Sequence, residues 1–283
     1  MATTAELPRF TGFLLRRAYA KATVSTRACI DQEIPVREVA MLAILAERGA
    51  LSQRALSDLT GVNRSIMVKV VDDLEARGWV VRERNPDDRR SYALRLTAAG
   101  SAALAGLLAD LDRGEQLLTE SLAKAERARL RSALSTLLEG EAWLSIESLS
   151  RYAGFLIAQA HQLLRGWAKE ALEPLGLDPR DFGVLSAIGS DQPCSQNHLA
   201  QALGVSPPAA LWFVGELETA GLVRRERNPD DRRCYDLTLT PAGLKRLGLA
   251  RAAAAQVQDR VAARLGERTD AELRSLLARI VAD

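Results

Sequence analysis

The chain has 283 residues, enough for about two domains, and 47% of them are apolar. Lys and Arg number 38 against 36 Asp and Glu, so the net charge is only +2. No apolar run approaches the roughly 20 residues that span a bilayer, and the first residues lack a signal-peptide pattern. Together with three scattered cysteines, this argues against membrane insertion and secretion and predicts a cytoplasmic protein.

Four helices are predicted in the first third of the chain. The first covers residues 5–31, and the second begins at Pro35, because proline favours the first turn of a helix. Ser52 and Asn63 are expected to cap two further helices, since their side chains accept hydrogen bonds from unpaired N–H groups. Gly78 ends the fourth helix.

A hairpin and two longer helices follow. Residues 79–84 and 92–96 alternate apolar and polar side chains, as strands do, and residues 85–88 (NPDD) between them favour a turn. Thr97 then caps a long Ala- and Leu-rich helix, and a last helix is predicted over residues 124–139.

The second half of the chain repeats the first. Residues 82–90 (RERNPDDRR) recur letter for letter at 225–233, an offset of 143 residues. An identity of this length in a matched frame indicates a tandem duplication. We therefore expect two domains, at residues 1–143 and 144–283.

Helix, short helix, turn, helix and a basic hairpin are the parts of a winged helix-turn-helix, whose recognition helix enters the major groove of DNA. Each half contains Leu-Glu-x-x-Gly-[Trp/Leu]-Val, then Asn-Pro-Asp-Asp-Arg-Arg, then Leu-Thr-x-x-Gly. In these motifs the chain resembles the MarR family of bacterial transcription regulators. The resemblance covers both halves and implies a mainly α fold with small β-hairpin wings.

The resemblance also implies a dimer built from interlocking terminal helices. With two protomer-like units in one polypeptide, we expect an intramolecular pseudo-dimer that is a monomer in solution. No Gly-, Ser- or Pro-rich linker separates the two halves. The two recognition helices should then lie about one turn of double-stranded DNA apart, roughly 34 Å.

The wings carry a local excess of positive charge. Residues 82–95 contain five Arg against three acidic side chains. We expect DNA contacts from six wing arginines, namely Arg84, Arg89, Arg90, Arg227, Arg232 and Arg233. The resemblance implies that Asp88 and Asp231 position neighbouring arginines by ion pairing. A hairpin tip that is merely solvated is the alternative.

The first recognition helix divides by helical spacing into two faces. The inward face consists of Met67, Val70, Val71 and Leu74. The outward face includes Arg64, Ser65 and Lys69. We expect Arg64 to bind guanine or phosphate and Lys69 to bind phosphate, whereas Asn63 either caps the helix or contacts a base.

The second recognition helix lacks this polar face. Ser206, two prolines and Trp212 replace the polar and basic residues, so its outward face carries no cation of its own, while Ala210, Phe213, Val214 and Leu217 fill the inward positions. Two explanations stay open. Either Ser206 and Trp212 contact DNA, against thymine methyl groups, in an asymmetric operator, or this face packs against a ligand or a protein.

The resemblance further implies a small-molecule effector, often aromatic or phenolic. Phe155, His161 and Trp167 form a set able to hold a planar anion, and an aromatic core is the alternative. We expect no metal and no cofactor, because the only two histidines lie far apart and near no cluster of ligands. The small number of histidines and their separation also argue against an enzyme.

These observations predict a sequence-specific DNA-binding transcriptional regulator, a repressor that its effector releases from DNA. The alternative is a ligand- or protein-binding module of the same fold that has lost specific DNA binding.

Overall fold

The computed structural model describes residues 7–30, 34–60, 62–84, 92–141, 144, 146–228 and 235–282. These residues form two compact units. The central unit contains residues 19–158, and the composite unit contains residues 7–18 together with 159–282. No helix of the described part of the chain combines the length and apolarity needed to cross a bilayer.

The described helices and strands follow the same order in both halves of the chain, and one additional short helix, Glu147–Ser150, lies between the two sets. The helices are α1 (Thr11–Arg27), α2 (Val36–Arg48), α3 (Gln53–Thr60), α4 (Arg64–Ala76), α5 (Ala98–Leu118), α6 (Lys124–Leu137), α7 (Glu147–Ser150), α8 (Ala153–Leu172), α9 (Pro179–Ser190), α10 (Gln196–Leu203), α11 (Pro207–Thr219), α12 (Pro241–Leu265) and α13 (Glu267–Ala282). The strands are β1 (Leu51–Ser52), β2 (Val80–Arg84), β3 (Tyr92–Leu96), β4 (Cys194–Ser195), β5 (Val223–Arg227) and β6 (Tyr235–Leu239).

Each unit contains one three-stranded antiparallel sheet. The strand orders are β1-β3-β2 and β4-β6-β5, so the hairpin predicted for each wing is present with a third, two-residue strand beside it. Strands β1 and β4 were not predicted from the sequence, because two residues are too few to show an alternating pattern. Ser52 nevertheless acts as predicted, since its Oγ accepts the N–H of Ala55 at 3.1 Å.

The compact units do not coincide with the sequence repeats. Helix α1 begins in the composite unit and ends in the central unit, and α8 begins in the central unit and ends in the composite unit. Each unit thus contains the first residues of the terminal helix that belongs to the other repeat. The ranges 1–143 and 144–283 delimit the two sequence repeats. That each range forms a domain stays a prediction.

Hydrogen bonds fix the N-termini of α1 and α8. In the central unit, the carboxylate of Glu115 on α5 accepts the N–H groups of Ala153 and Gly154 at 2.9 and 3.0 Å. In the composite unit, Gln258 on α12 accepts the N–H of Thr11 at 2.9 Å, and the buried Thr11 hydroxyl donates to Asp270 at 2.7 Å. These partners satisfy N–H groups that a helix cannot satisfy by itself.

The Leu-Thr-x-x-Gly motif joins the wing to the long helix behind it. Thr97 Oγ1 accepts the N–H of Gly100 at 2.9 Å and donates to the carbonyl of Gly78 at 2.7 Å. A Cβ at Gly100 would lie 2.1 Å from the carbonyl oxygen of Trp79, so only glycine fits there. Gly243 stands in the same relation to Leu222 in the composite unit, at 2.0 Å.

We expect Gly100→Ala to lower the free energy of unfolding by about 1–3 kcal/mol, because the new methyl group has no space beside the Trp79 carbonyl. Gly106→Ala is the matched control on the same helix, where a Cβ meets nothing within 4 Å. It should raise stability by about 0.5–1 kcal/mol. Urea unfolding measures both changes, and equal effects of the two substitutions would contradict the close approach.

Candidate nucleic-acid interface

Helix α4 has the two faces that its periodicity predicts. Met67, Val70, Val71 and Leu74 are all buried in the core of the central unit, so the predicted inward face is confirmed. Asn63 lies in extended backbone before the helix, and its Oδ1 accepts the N–H of Ile66 at 2.9 Å. The capping role is therefore confirmed, whereas a base contact by Asn63 stays a prediction.

The outward face of α4 is exposed and basic. Arg64, Ser65 and Lys69 lie at its surface, together with the half-exposed side chains of Ile66 and Val68. Neither Arg64 nor Lys69 forms an ion pair with any residue that the structure describes. Their charges thus remain available to an anion outside the protein.

Ion pairs attach the first wing to the same helix. Arg82 on β2 pairs with Asp72 at 2.6 Å and with Glu75, both on α4. The backbone N–H of Arg82 also donates to Glu75 at 3.2 Å. Arg84, two residues along the strand, is exposed. The central unit therefore presents a basic helix face and a wing strand in a fixed relation.

Helix α11 forms as predicted, although its first turn contains two prolines. Ala210, Val214 and Leu217 are buried, and Phe213 is partly buried against the same core. Ser206 precedes the helix without a side-chain cap bond. The outward side chains are large and apolar, because Leu211 is 41% exposed and Trp212 is 56% exposed.

A cation that was not predicted from the sequence lies against this apolar face. The guanidinium of Arg180, at the start of α9, lies 4.8 Å from the centre of the Trp212 ring and 5.0 Å from that of Phe213. Arg180 also pairs with Asp178 at 3.0 Å and with Glu216 at 3.1 Å. These carboxylates neutralise Arg180, so it braces the aromatic face and adds little net charge. No sequence motif marks this contact between separate helices.

The second wing is held by different contacts. Arg225, the counterpart of Arg82, lies with its guanidinium 4.1 Å from the centre of the Tyr235 ring. Hydrogen bonds from Arg227 and Arg225 lower the pKa of the Tyr235 hydroxyl. Gly215 occupies the position equivalent to Asp72 (215 − 143 = 72), so one of the two acidic anchors is missing. The two wings are therefore not equivalent.

Six of the predicted wing residues, at the hairpin tips, lie outside the described residues. They are Asp88, Arg89, Arg90, Asp231, Arg232 and Arg233. Their roles stay predictions.

The three predicted effector-binding residues do not form one group. Phe155 packs against the core of the central unit, whereas His161 and Trp167 belong to the composite unit. Trp167 is buried beneath two guanidinium groups, those of Arg260 and Arg264, at 3.9 and 4.9 Å from its ring centre. A role in binding a ligand stays a prediction for all three.

The central unit also has an open cleft of about 880 Å³. Arg48, Leu51 and Leu59 lie on one side, and the end of α6 with the residues after it lies on the other. None of the predicted effector-binding residues lines this cleft.

The fold and the exposed basic helix beside an anchored hairpin define a winged helix-turn-helix protein of the DNA-binding class. A family model described as MarR family matches residues 34–92, and another with the same description matches residues 175–233. Together with the relatives below, these matches show that the chain belongs to the MarR family.

Three relatives illustrate the similarity. The chain is 36% identical over 132 residues to the putative transcriptional regulatory protein for the hcr operon of Thauera aromatica. The aligned region covers 44% of this chain and 77% of that protein. It is 30% identical over 132 residues to the transcriptional repressor NicR of Pseudomonas putida, over 46% of this chain and 83% of that protein. A putative S-adenosyl-L-methionine-dependent methyltransferase of Mycobacterium ulcerans is 29% identical over 246 residues, 82% of this chain and 75% of that protein. The family membership points to a regulator that is not an enzyme.

We expect Asn63→Ala to lower the free energy of unfolding by about 1 kcal/mol, because the substitution removes the acceptor for the Ile66 N–H. Ser206→Ala is the matched control at the same position of the second repeat. Ser206 makes no cap bond, so its replacement should change stability by less than about 0.5 kcal/mol. If urea unfolding shows comparable losses of stability for the two variants, the assignment of Asn63 as the helix cap is contradicted.

Proposed function

We propose that this protein is a transcriptional repressor that binds a specific operator in double-stranded DNA and leaves it when a small effector binds. The exposed basic face of α4, held beside its wing by Arg82, is the observation that carries the proposal. A recognition helix needs exposed donors at its N-terminal end and a wing in a defined position. The central unit offers both.

Individual side chains of α4 suit separate tasks. The Arg64 guanidinium, in the first turn, can donate two hydrogen bonds to O6 and N7 of guanine. Lys69 lies more than one turn further along and is suited to a phosphate. Arg84 and the arginines of the hairpin tips would add phosphate or minor-groove contacts.

The second recognition helix would contribute differently. Leu211 and Trp212 offer apolar surface that fits thymine methyl groups, and Ser206 offers a hydroxyl group. We propose an intramolecular pseudo-dimer, monomeric in solution, whose two helices contact half-sites about 34 Å apart. One half-site would be read through hydrogen bonds and the other mainly through methyl contacts and the wing.

Repression and effector release rest on the relatives and on the family resemblance. NicR of Pseudomonas putida is named as a transcriptional repressor. An effector that prefers a conformation with displaced recognition helices must weaken DNA binding, and DNA must weaken effector binding by the same factor.

The contribution of α4 can be tested on DNA selected from a random pool with the full chain. Arg64→Ala should weaken binding to the selected DNA by about 1–3 kcal/mol and reduce discrimination against random DNA, because it removes a base contact. Lys69→Ala should weaken binding to both DNAs alike and reduce the salt slope by about 1. Fluorescence anisotropy at several salt concentrations measures these changes.

Lys124→Ala is the control, because Lys124 begins α6 and belongs to neither the helix-turn-helix nor the wing. Its affinity should equal that of the unchanged chain. Equal losses for Arg64→Ala on selected and random DNA would reduce Arg64 to a backbone contact. If no DNA binds even at low salt, the alternative ligand- or protein-binding module replaces the regulator.

The asymmetric operator gives a separate prediction. Scrambling the half-site bound by α4 should abolish specific binding, because hydrogen-bonded readout is lost there. Scrambling the other half-site should cost less, and Trp212→Ala should remove the remaining preference at that half. Footprinting that shows two equally protected, symmetry-related half-sites would contradict this asymmetry.

A further inference from the structure

The first arginine of the repeated RERNPDDRR motif has different partners in the two wings. In the central unit, Arg82 pairs with Asp72 at 2.6 Å and also with Glu75, so α4 neutralises its charge. Its counterpart in the composite unit is Arg225 (225 − 82 = 143). Gly215 stands where α4 has Asp72, and Arg225 forms no ion pair with any residue that the structure describes. The same sequence position therefore carries, in the second wing, a charge that the recognition helix does not neutralise.

Strand pairing places Arg225 beside a second arginine and a tyrosine. Tyr235 lies directly opposite Arg227 in the antiparallel ladder of β5 and β6, and Arg225, two residues earlier on β5, shares their face. The Arg225 guanidinium lies 4.1 Å from the centre of the Tyr235 ring, and both arginines donate hydrogen bonds to its hydroxyl. Because a hydroxyl oxygen can accept two hydrogen bonds, the phenol proton stays available to a further acceptor. We call Arg225, Arg227 and Tyr235 the Arg–Tyr–Arg group.

Carboxylates near the Arg–Tyr–Arg group have other partners or lie apart from it. Glu226 lies on the opposite face of β5 and pairs with Arg224 at 3.6 Å. Asp236 accepts the Asn228 side chain at 3.0 and 3.1 Å. Glu218 on α11 forms no ion pair within the described part of the chain. The group therefore keeps two positive charges that no described carboxylate balances.

The first wing does not contain the same group. Tyr92, the counterpart of Tyr235, lies opposite Arg84 and is 55% exposed. Arg82 is held by α4, so it does not cover this ring as Arg225 covers Tyr235. The Arg–Tyr–Arg group thus follows from the loss of an acidic anchor in the second repeat and not from the duplicated motif itself.

We propose that the Arg–Tyr–Arg group binds one phosphodiester group of the DNA backbone in the second half-site. A guanidinium group offers parallel N–H donors that match two phosphate oxygens, and the phenol adds a further donor. Strand β5 packs against α11, whose outward face exposes Leu211 and Trp212. The phosphate contact supplies attraction that this apolar face lacks. The inference rests on the proposed function and deepens it, because two arginines in identical motifs have separate tasks: Arg82 positions a wing and Arg225 binds DNA.

The salt dependence of DNA binding by the full chain tests this site. Each phosphate contact releases counterions, so Arg225→Ala should lower affinity for the selected DNA several-fold and reduce the slope of log affinity against log salt by about 1. Arg82→Ala removes a charge that α4 already neutralises, so it should leave that slope unchanged while it lowers the midpoint of urea unfolding. An unchanged slope for Arg225→Ala, or equal slope changes for the two variants, would overturn the inference.

Two further variants control this comparison. Arg224→Ala removes an arginine on the opposite face of the same strand, where Glu226 pairs with it, and should leave the slope unchanged. Arg227→Ala removes the exposed arginine of the group and should reduce the slope by about 1. If Arg225→Ala fails to fold in a thermal melt, Arg227→Ala decides, and a slope equal to that of Arg224→Ala overturns the proposal.

Uncharged phosphate analogues locate the contact. In DNA that carries a single methylphosphonate, one backbone position loses its negative charge. At one position of the second half-site, this change should weaken binding of the unchanged chain several-fold and have no effect on Arg225→Ala, because both changes remove the same contact. If every position weakens both proteins alike, the group does not bind a phosphodiester.

Restoring the acidic anchor provides an independent test. A Cβ at Gly215 meets nothing within 4 Å, so an aspartate fits at this position of α11. Gly215→Asp should draw Arg225 toward α11, as Asp72 holds Arg82, and should weaken DNA binding. The uncharged Gly215→Asn is the matched control and should leave the affinity unchanged. Equal losses from Gly215→Asp with and without Arg225 would overturn the inference, since they would reflect repulsion of DNA alone.

These measurements separate the phosphodiester site from the proposed function. DNA binding that depends on Arg64, with a slope that Arg225→Ala does not change, overturns the phosphodiester site and leaves the repressor in place. Absence of DNA binding even at low salt overturns the repressor, and the phosphodiester site with it.

Discussion

The structure depends on how the N-termini of two helices are satisfied. The first N–H groups of a helix have no partner inside it. Those of α8 donate to Glu115 on α5, and that of Thr11 in α1 donates to Gln258 on α12. Each terminal helix thus begins on the long helix of the opposite repeat. Burial raises the pKa of Glu115, whereas the two N–H donors and the positive partial charge at the helix start favour its ionised form.

Fusion of two repeats removes a constraint that symmetry imposes on a homodimer. In a symmetric dimer, one substitution changes both copies of a site. Here the equivalent positions have diverged, because Glu115 corresponds to the neutral Gln258 and Asp72 corresponds to Gly215. The common backbone frame is kept by Gly100 and its counterpart, where no side chain fits. The units therefore share a fold while presenting different surfaces.

The sequence was sufficient for features that depend on local spacing. The buried face of α4, the cap by Asn63 and the strands on either side of each turn all follow from patterns within a few residues. It was insufficient for contacts between distant segments. Thr11 and Gln258 are 247 residues apart, and helical periodicity does not indicate which core receives the first turns of α1. The same limit applies to Arg180 and Trp212, which lie on separate helices.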